Sequence, residues 1–104
     1  MQFWIVAIQY DEEGNQQDIL GYISMFITPS MHTGELTALT DTMYVVPRAR
    51  GEHVGRNLLV KAEELVTERG AKHMMVTFKN SVKHERLVEE LGLFNYETVY
   101  CKAL

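Results

Sequence analysis

The sequence predicts an α+β fold, an α/β sandwich built on one mixed sheet with two helices. Three observations lead there. Two β-rich segments near the start are separated by a polar turn, the pattern of an antiparallel hairpin. A strand, a long amphipathic helix and another strand then follow over residues 36–78, the pattern of a parallel pair joined by a right-handed crossover. Gly70 and Gly92 each close a helical stretch. The order is β-β-β-α-β-α-β, in one domain over residues 1–104.

Phe3 to Gln9 reads as the first strand, and Asp11-Glu12-Glu13-Gly14-Asn15 as its turn. Ile19 to Thr28 is the second strand, where Gly21 marks a bulge or a close backbone contact. Residues 29–34 form a loop. Leu36 to Val46 is the third strand, with Leu36, Ala38, Thr40, Thr42, Tyr44 and Val46 expected on one face. Pro47 ends it, because proline cannot donate to a ladder. A helix follows from Glu52 to Arg69, with Val54, Leu58, Leu59, Ala62, Leu65 and Val66 as its apolar stripe. His73 to Phe78 is the fourth strand, Val82 to Leu91 a short helix, and Phe94 to Lys102 the last strand. Repeats, linkers and low-complexity segments are not found.

Composition narrows the function. The 46% hydrophobic content suits a globular domain, and the formal net charge of -4 argues against a general nucleic-acid binder. The one cysteine, Cys101, excludes an intrachain disulfide, so a reducing, cytoplasmic setting is expected. No apolar run reaches a membrane span, and the first residues do not read as a signal peptide. His73, His84 and Cys101 lack metal-ligand spacing, so no metal is expected. Cys101 has no evident base and reads as inert.

Basic charge is instead local. Arg48, Arg50 and Arg56 surround a glycine-containing helix start, where unpaired amides and the helix dipole favour an anion. Together they read as a phosphate site; the competing reading is a solvated basic turn. In mixed sheets, ligands sit where neighbouring strands diverge beyond their carboxyl ends, and this turn lies at such an end.

Arg50-Gly51-Glu52-His53-Val54-Gly55 matches a signature of Arg or Gln, two residues, Gly, one residue, then Gly or Ala. Tyr44-Val45-Val46-Pro47 precedes it and Leu58 follows. About 30 residues on, Leu87-Val88-Glu89-Glu90-Leu91-Gly92-Leu93 matches a "FYEKLGF" segment. The chain thereby resembles the GNAT superfamily, the Gcn5-related N-acetyltransferases, over residues 36–104, with the front hairpin fitting the remainder. Three departures stand out. His53 replaces the middle glycine, at a position needing positive φ that histidine tolerates better than most residues. Val88 stands where many members have a tyrosine that protonates the leaving thiolate. The chain begins at the family's second strand and reads as a minimal core without the usual first strand and helices.

The resemblance implies acetyl-CoA, or another acyl-CoA, as cofactor. Its diphosphate would lie on the amides of residues 51–56, including those of Gly51, His53, Val54, Gly55 and Arg56, near Arg50 and Arg48; Glu52 would point outward. Asn80 matches a family asparagine. The pantetheine arm would pair with the backbone of Val45 and Val46 like an added strand.

The acceptor amine must lose a proton before attack, since a lysine-like amine has a pKa of about 10.4. Asp41, flanked by Leu39, Met43 and Val45, is the candidate base, and a structural hydrogen-bond hub is the alternative. Glu35 is the second candidate, or a solvated acid at a loop edge. His32 reads as a loop histidine rather than a substrate-orienting one. Tyr96 and Tyr100 could reach the thiol, or could simply pack.

The leading reading is an N-acetyltransferase acting on a small amine, a protein lysine or a protein N-terminus. The other is a non-catalytic module that binds CoA or a protein partner, such as a phage accessory protein. A homodimer, or a partner that completes the acceptor site, is expected because so small a core leaves much surface to cover. A P-loop is excluded by the missing Lys-Ser/Thr pair, and a dinucleotide fold by the missing acidic residue.

Overall fold

A computed structural model of the chain describes residues 1–79 and 83–104. Strands β1 (Gln2–Tyr10), β2 (Gln16–Pro29) and β3 (Leu36–Val45) form an antiparallel meander, and a short β4 (His73–Met75) adds in parallel beside β3. Helix α1 (Val54–Glu68) makes the crossover between β3 and β4, and α2 (Glu85–Glu90) follows. The mixed sheet with two helices agrees with the fold the sequence predicts.

The core lies between α1 and one face of the sheet. Ile23, Met25 and Ile27 of β2 and Ala38 of β3 meet Leu58, Leu59, Ala62 and Val66 of α1. The α1 contacts recur at helical spacing, as the apolar stripe requires. Leu87 and Leu91 dock α2 on the rim of this cluster.

Register explains both the glycine in β2 and the break in the alternation of β3. Gly21 pairs with Val45 so closely that a Cβ would lie 2.6 Å from the Tyr44 carbonyl oxygen, which is why this position is glycine. In β3, Ser24 pairs with Thr42 but Met25 pairs with Thr40, leaving Asp41 as an extra residue. One inserted residue reverses the side-chain parity of the strand beyond it. The single face expected for Leu36 through Val46 is therefore corrected. Leu36 and Ala38 face the core before the bulge, Met43 and Val45 after it, and Tyr44 turns to the opposite face beside Tyr22 and Trp4.

Two predicted strands also need correction. The fourth strand covers only three of its six predicted residues. Residues 94–102 form no strand: Phe94, Tyr96, Val99 and Tyr100 are all largely exposed. A strand needs an edge to pair with, and β4 is too short to supply one along that length. The start predicted for α2, Val82, lies outside the described residues.

Candidate functional site

The loop between β3 and α1 is shaped by its backbone. Pro47–Ala49 forms one 3-10 turn, closed by Ala49 N–H to the Val46 carbonyl at 3.0 Å and Arg50 N–H to the Pro47 carbonyl at 3.2 Å. Gly51 has φ 87° and His53 has φ 66°, both left-handed. Among the described residues His53 is the one non-glycine there, so the turn forms despite the lost glycine. His53 is also the residue before the first turn of α1, and its own side chain makes no capping hydrogen bond there. The first helical bond runs from Asn57 N–H to the His53 carbonyl at 2.9 Å, so the amides of Val54, Gly55 and Arg56 precede it. A Cβ at Gly55 would meet only Val45 Cγ2, at 3.8 Å. The fold itself does not demand glycine at this position.

An open concavity of about 650 Å³ lies against this helix start, lined by Glu52, His53, Arg56, Asn57 and Glu90. Glu52, expected to point outward, forms part of the lining. Glu90 comes from α2, and its carboxylate pairs with Arg56 at 3.3 Å and with Arg86 at 2.8 Å. The Arg86 hydrogen bond, followed by the charges of Arg86, Arg56 and His53, holds the Glu90 carboxyl below the usual range against partial desolvation. Sequence reasoning missed Glu90 and Asn57. Asn57 was detectable as the residue one helical turn beyond His53; Glu90 was not, because only folding brings α2 to this loop.

The three arginines have separate partners. Arg48 turns back to Asp18 at 2.7 Å and to Gln9 at 3.4 Å. Arg50 donates through Nε to the Val45 carbonyl at 3.0 Å, and its guanidinium lies 5.6 Å from the centre of the Tyr44 ring. Of the three, only Arg56 lines the concavity.

Beside the loop the sheet forks. Among the described residues β3 and β4 pair only through Thr37, Ala38 and Leu39 of β3. Beyond Leu39 the chain after β4 reaches a side chain instead, with Thr77 N–H donating to Thr40 Oγ1 at 2.9 Å. Val46 N–H is committed to the Leu20 carbonyl at 2.8 Å. By strand alternation the polar backbone of Val45 faces the opposite, open edge, where Arg50 holds its carbonyl. Of the two backbones expected to pair with a ligand, Val45 thus faces the fork, while the Val46 N–H faces β2.

Asp41 is the bulge residue at the mouth of the fork. It is exposed rather than enclosed by the apolar neighbours the sequence suggested, and it accepts a hydrogen bond from Ser24 Oγ at 3.3 Å. Ser24 is fully buried and also accepts from Gln2 Nε2 at 3.2 Å. Glu35 is placed elsewhere. It precedes β3, whose ten residues separate it from the loop by about 30 Å at the usual strand rise. Tyr96 and Tyr100 lie outside every strand and helix and do not line the concavity. Asn80 lies outside the described residues. Among the described residues no cluster of His, Cys, Asp or Glu suits a metal, and no helix is long and apolar enough to cross a membrane.

The helix start, with its left-handed residues, faces a concavity beside a forked mixed sheet, the architecture of an α+β sandwich with an open strand edge. The comparison with known families is specific: residues 1–93 match the family described as acetyltransferase (GNAT) family, and the chain belongs to that family. No curated protein matches it in sequence. Among solved structures, a Pyrococcus furiosus protein named as an acetyl transferase superposes with TM-score 0.80 at 28% identity, over 100% of this chain and 66% of that one. A transcriptional regulator from Bacillus halodurans C-125 gives 0.74 at 24% identity, over 84% of this chain and 59% of that one. A ribosomal-protein-alanine N-acetyltransferase from Brucella melitensis biovar Abortus 2308 gives 0.73 at 18% identity, over 99% and 71%. The last two likenesses concern the fold alone. The chain spans less than two thirds of the length of the first two.

Proposed function

We propose that the protein transfers an acetyl group from acetyl-CoA to an amine. The observation carrying this reading is the left-handed Gly51–His53 turn at a helix start that the His53 side chain does not cap, set beside the open edge of β3. The CoA diphosphate lies on the amides of Val54, Gly55 and Arg56 and displaces Glu90 from Arg56. Arg50 releases the Val45 carbonyl as the pantetheine arm pairs along the fork, and its freed guanidinium meets the diphosphate. Asn80 and Arg48 remain further candidates for this contact.

Asp41 takes the proton of the acceptor amine, directly or through water. The nitrogen attacks the thioester carbonyl carbon, the carbon–sulfur bond breaks, and the thiolate leaves to collect a proton. Because a thiol has a pKa of about 8.5, that last proton is not essential, so Val88 in place of tyrosine is tolerable. The acceptor is an amine on a small molecule or a protein, and the setting is cytoplasmic.

The second reading is a family member without catalysis, serving as a CoA-binding or protein-binding module. It is favoured by the two carboxylates, Glu52 and Glu90, that share the concavity with Arg56. Calorimetric titration with acetyl-CoA and with CoA separates the readings. Micromolar binding, followed by acceptor-dependent release of free thiol, supports the enzyme. Binding without thiol release across a broad amine and peptide set favours the module, and absence of binding removes the cofactor site.

A further inference from the structure

The sheet face turned away from α1 carries a row of aromatic rings beside the candidate base. Phe3, Ile5, Ile23, Met25, Met43 and Val45 pack on the core, so their chain neighbours Trp4, Tyr22, Ser24 and Tyr44 lie on the other face. The rings follow one another across three strands. Their centroids are 5.4 Å apart from Trp4 to Tyr22 and 6.1 Å apart from Tyr22 to Tyr44, with planes tilted by 49° and 37°. Trp4 is 57% exposed and Tyr44 43%. On the same face Ser24 Oγ donates to Asp41 Oδ2 at 3.3 Å, which brings the carboxylate to this row. Among the described residues no lysine or arginine forms an ion pair with it.

We infer that the acceptor is an amine with a second positive charge: its reactive nitrogen lies at Asp41, and its second cation lies over the rings of Tyr22 and Tyr44. The inference rests on the acetyl-transfer reading above and names the substrate class for it. A ring face attracts a cation within about 6 Å of its centroid. With centroids 6.1 Å apart, a cation seated above the midpoint of Tyr22 and Tyr44 is within that reach of both. The row already holds one cation, since the Arg50 guanidinium lies 5.6 Å from the Tyr44 centroid. In the transfer reaction Arg50 moves to the diphosphate, and the acceptor's cation takes the vacated place.

Charge and spacing agree. Asp41 supplies the opposite charge at the row, and the net charge of -4 attracts cations at longer range. Tyr22 and Ser24 are two residues apart on β2, about 7 Å at the usual strand rise, so the second cation sits about that far from the hydroxyl that holds Asp41. A short alkyl diamine spans this distance. Cross-strand packing accounts for rings that touch one another. It does not account for a carboxylate held against the same face by a fully buried hydroxyl. None of the three rings lines the concavity at the helix start, so acceptor and cofactor contacts can be altered separately.

Matched acceptors and substitutions at Tyr22 test it on the full chain. Thiol release from acetyl-CoA is measured with 1,4-diaminobutane, n-butylamine and benzylamine. The diamine is expected to have a KM about tenfold below that of n-butylamine. Tyr22→Leu should raise the diamine's KM about five- to tenfold and erase its advantage, while calorimetry still gives the wild-type affinity for acetyl-CoA. Tyr22→Phe, which keeps a ring, should retain the preference. Independently of turnover, NMR on the CoA-saturated protein should show saturable shifts of the Tyr22 and Tyr44 ring protons with the diamine and none with 1,4-butanediol. Acetylation without preference for the diamine, a preference untouched by Tyr22→Leu, or a preference for benzylamine would overturn the inference and leave the transfer reading standing. Absence of acetyl-CoA binding would instead remove the transfer reading. In that case, or where no amine is acetylated, the Tyr22 ring shifts still decide, and their absence overturns the inference.

Discussion

At the scale of single residues, two positions separate what the fold needs from what the site needs. Gly55 sits in the first turn of α1 with space for a methyl group, yet glycine in a helix costs about 1 kcal/mol relative to alanine. Gly55→Ala is therefore expected to preserve or raise stability by up to about 1 kcal/mol while weakening acetyl-CoA binding more than about tenfold, because the diphosphate must approach this backbone closely. Thermal unfolding and calorimetry on the same variant check it; unchanged affinity would mean the helix start does not hold the ligand. His53 is the converse case, since its left-handed backbone carries strain of about 1 kcal/mol. His53→Gly should relieve that strain, and His53→Val should add to it.

Glu90 supplies a pH dependence with a definite sign. Its carboxyl is held below the ordinary glutamate range, chiefly by Arg86. A carboxyl lowered in the folded state contributes stability above its unfolded pKa and loses that contribution as pH falls through the folded value. The docking of α2 at the loop should therefore loosen only in acid, below the usual glutamate range. A carboxyl-carbon NMR titration is expected to show this low midpoint, and Arg86→Ala should move it back upward. A midpoint unaffected by that substitution would exclude Arg86 as its cause.

At the scale of elements, legibility in the sequence followed the strength of the period. The α1 stripe was readable because Leu58, Leu59, Ala62 and Val66 recur at helical spacing, and all four are buried. Leu59, fully buried, should accordingly cost about 2–5 kcal/mol on change to alanine, measured by denaturant unfolding. The bulge in β3 was not readable. Threonines at 37, 40 and 42 blur the alternation there, and the extra residue is defined only against its partner strand. The same bulge gives Asp41 its place at the fork. Asp41→Asn keeps a side chain that can pair with Ser24 but cannot take a proton from an amine. Turnover should fall at least about tenfold with acetyl-CoA affinity unchanged; wild-type turnover would leave Asp41 as the hydrogen-bond partner of Ser24 alone.

At the scale of the whole molecule, β propensity and tertiary structure part company after Leu93. Phe94, Tyr96, Val99 and Tyr100 have the residue types of a strand, which is why residues 94–102 read as one. Propensity describes how a side chain fits a pleated surface; it does not provide the neighbouring backbone, and β4 offers only three residues. The core closes without this segment, because Leu87 and Leu91 already dock α2 and Leu93 N–H is satisfied by the Val88 carbonyl at 2.9 Å. The family match also ends at residue 93. A chain truncated after Leu93 should thus keep its helical circular dichroism and unfold within about 1 kcal/mol of the full chain, as expected for removal of exposed residues. If acetyl-CoA binding also survives, the concavity and fork suffice for the cofactor, and the exposed tyrosines have no part in holding it. Collapse of the fold would instead show that residues 94–104 contribute to stability beyond what their exposure implies.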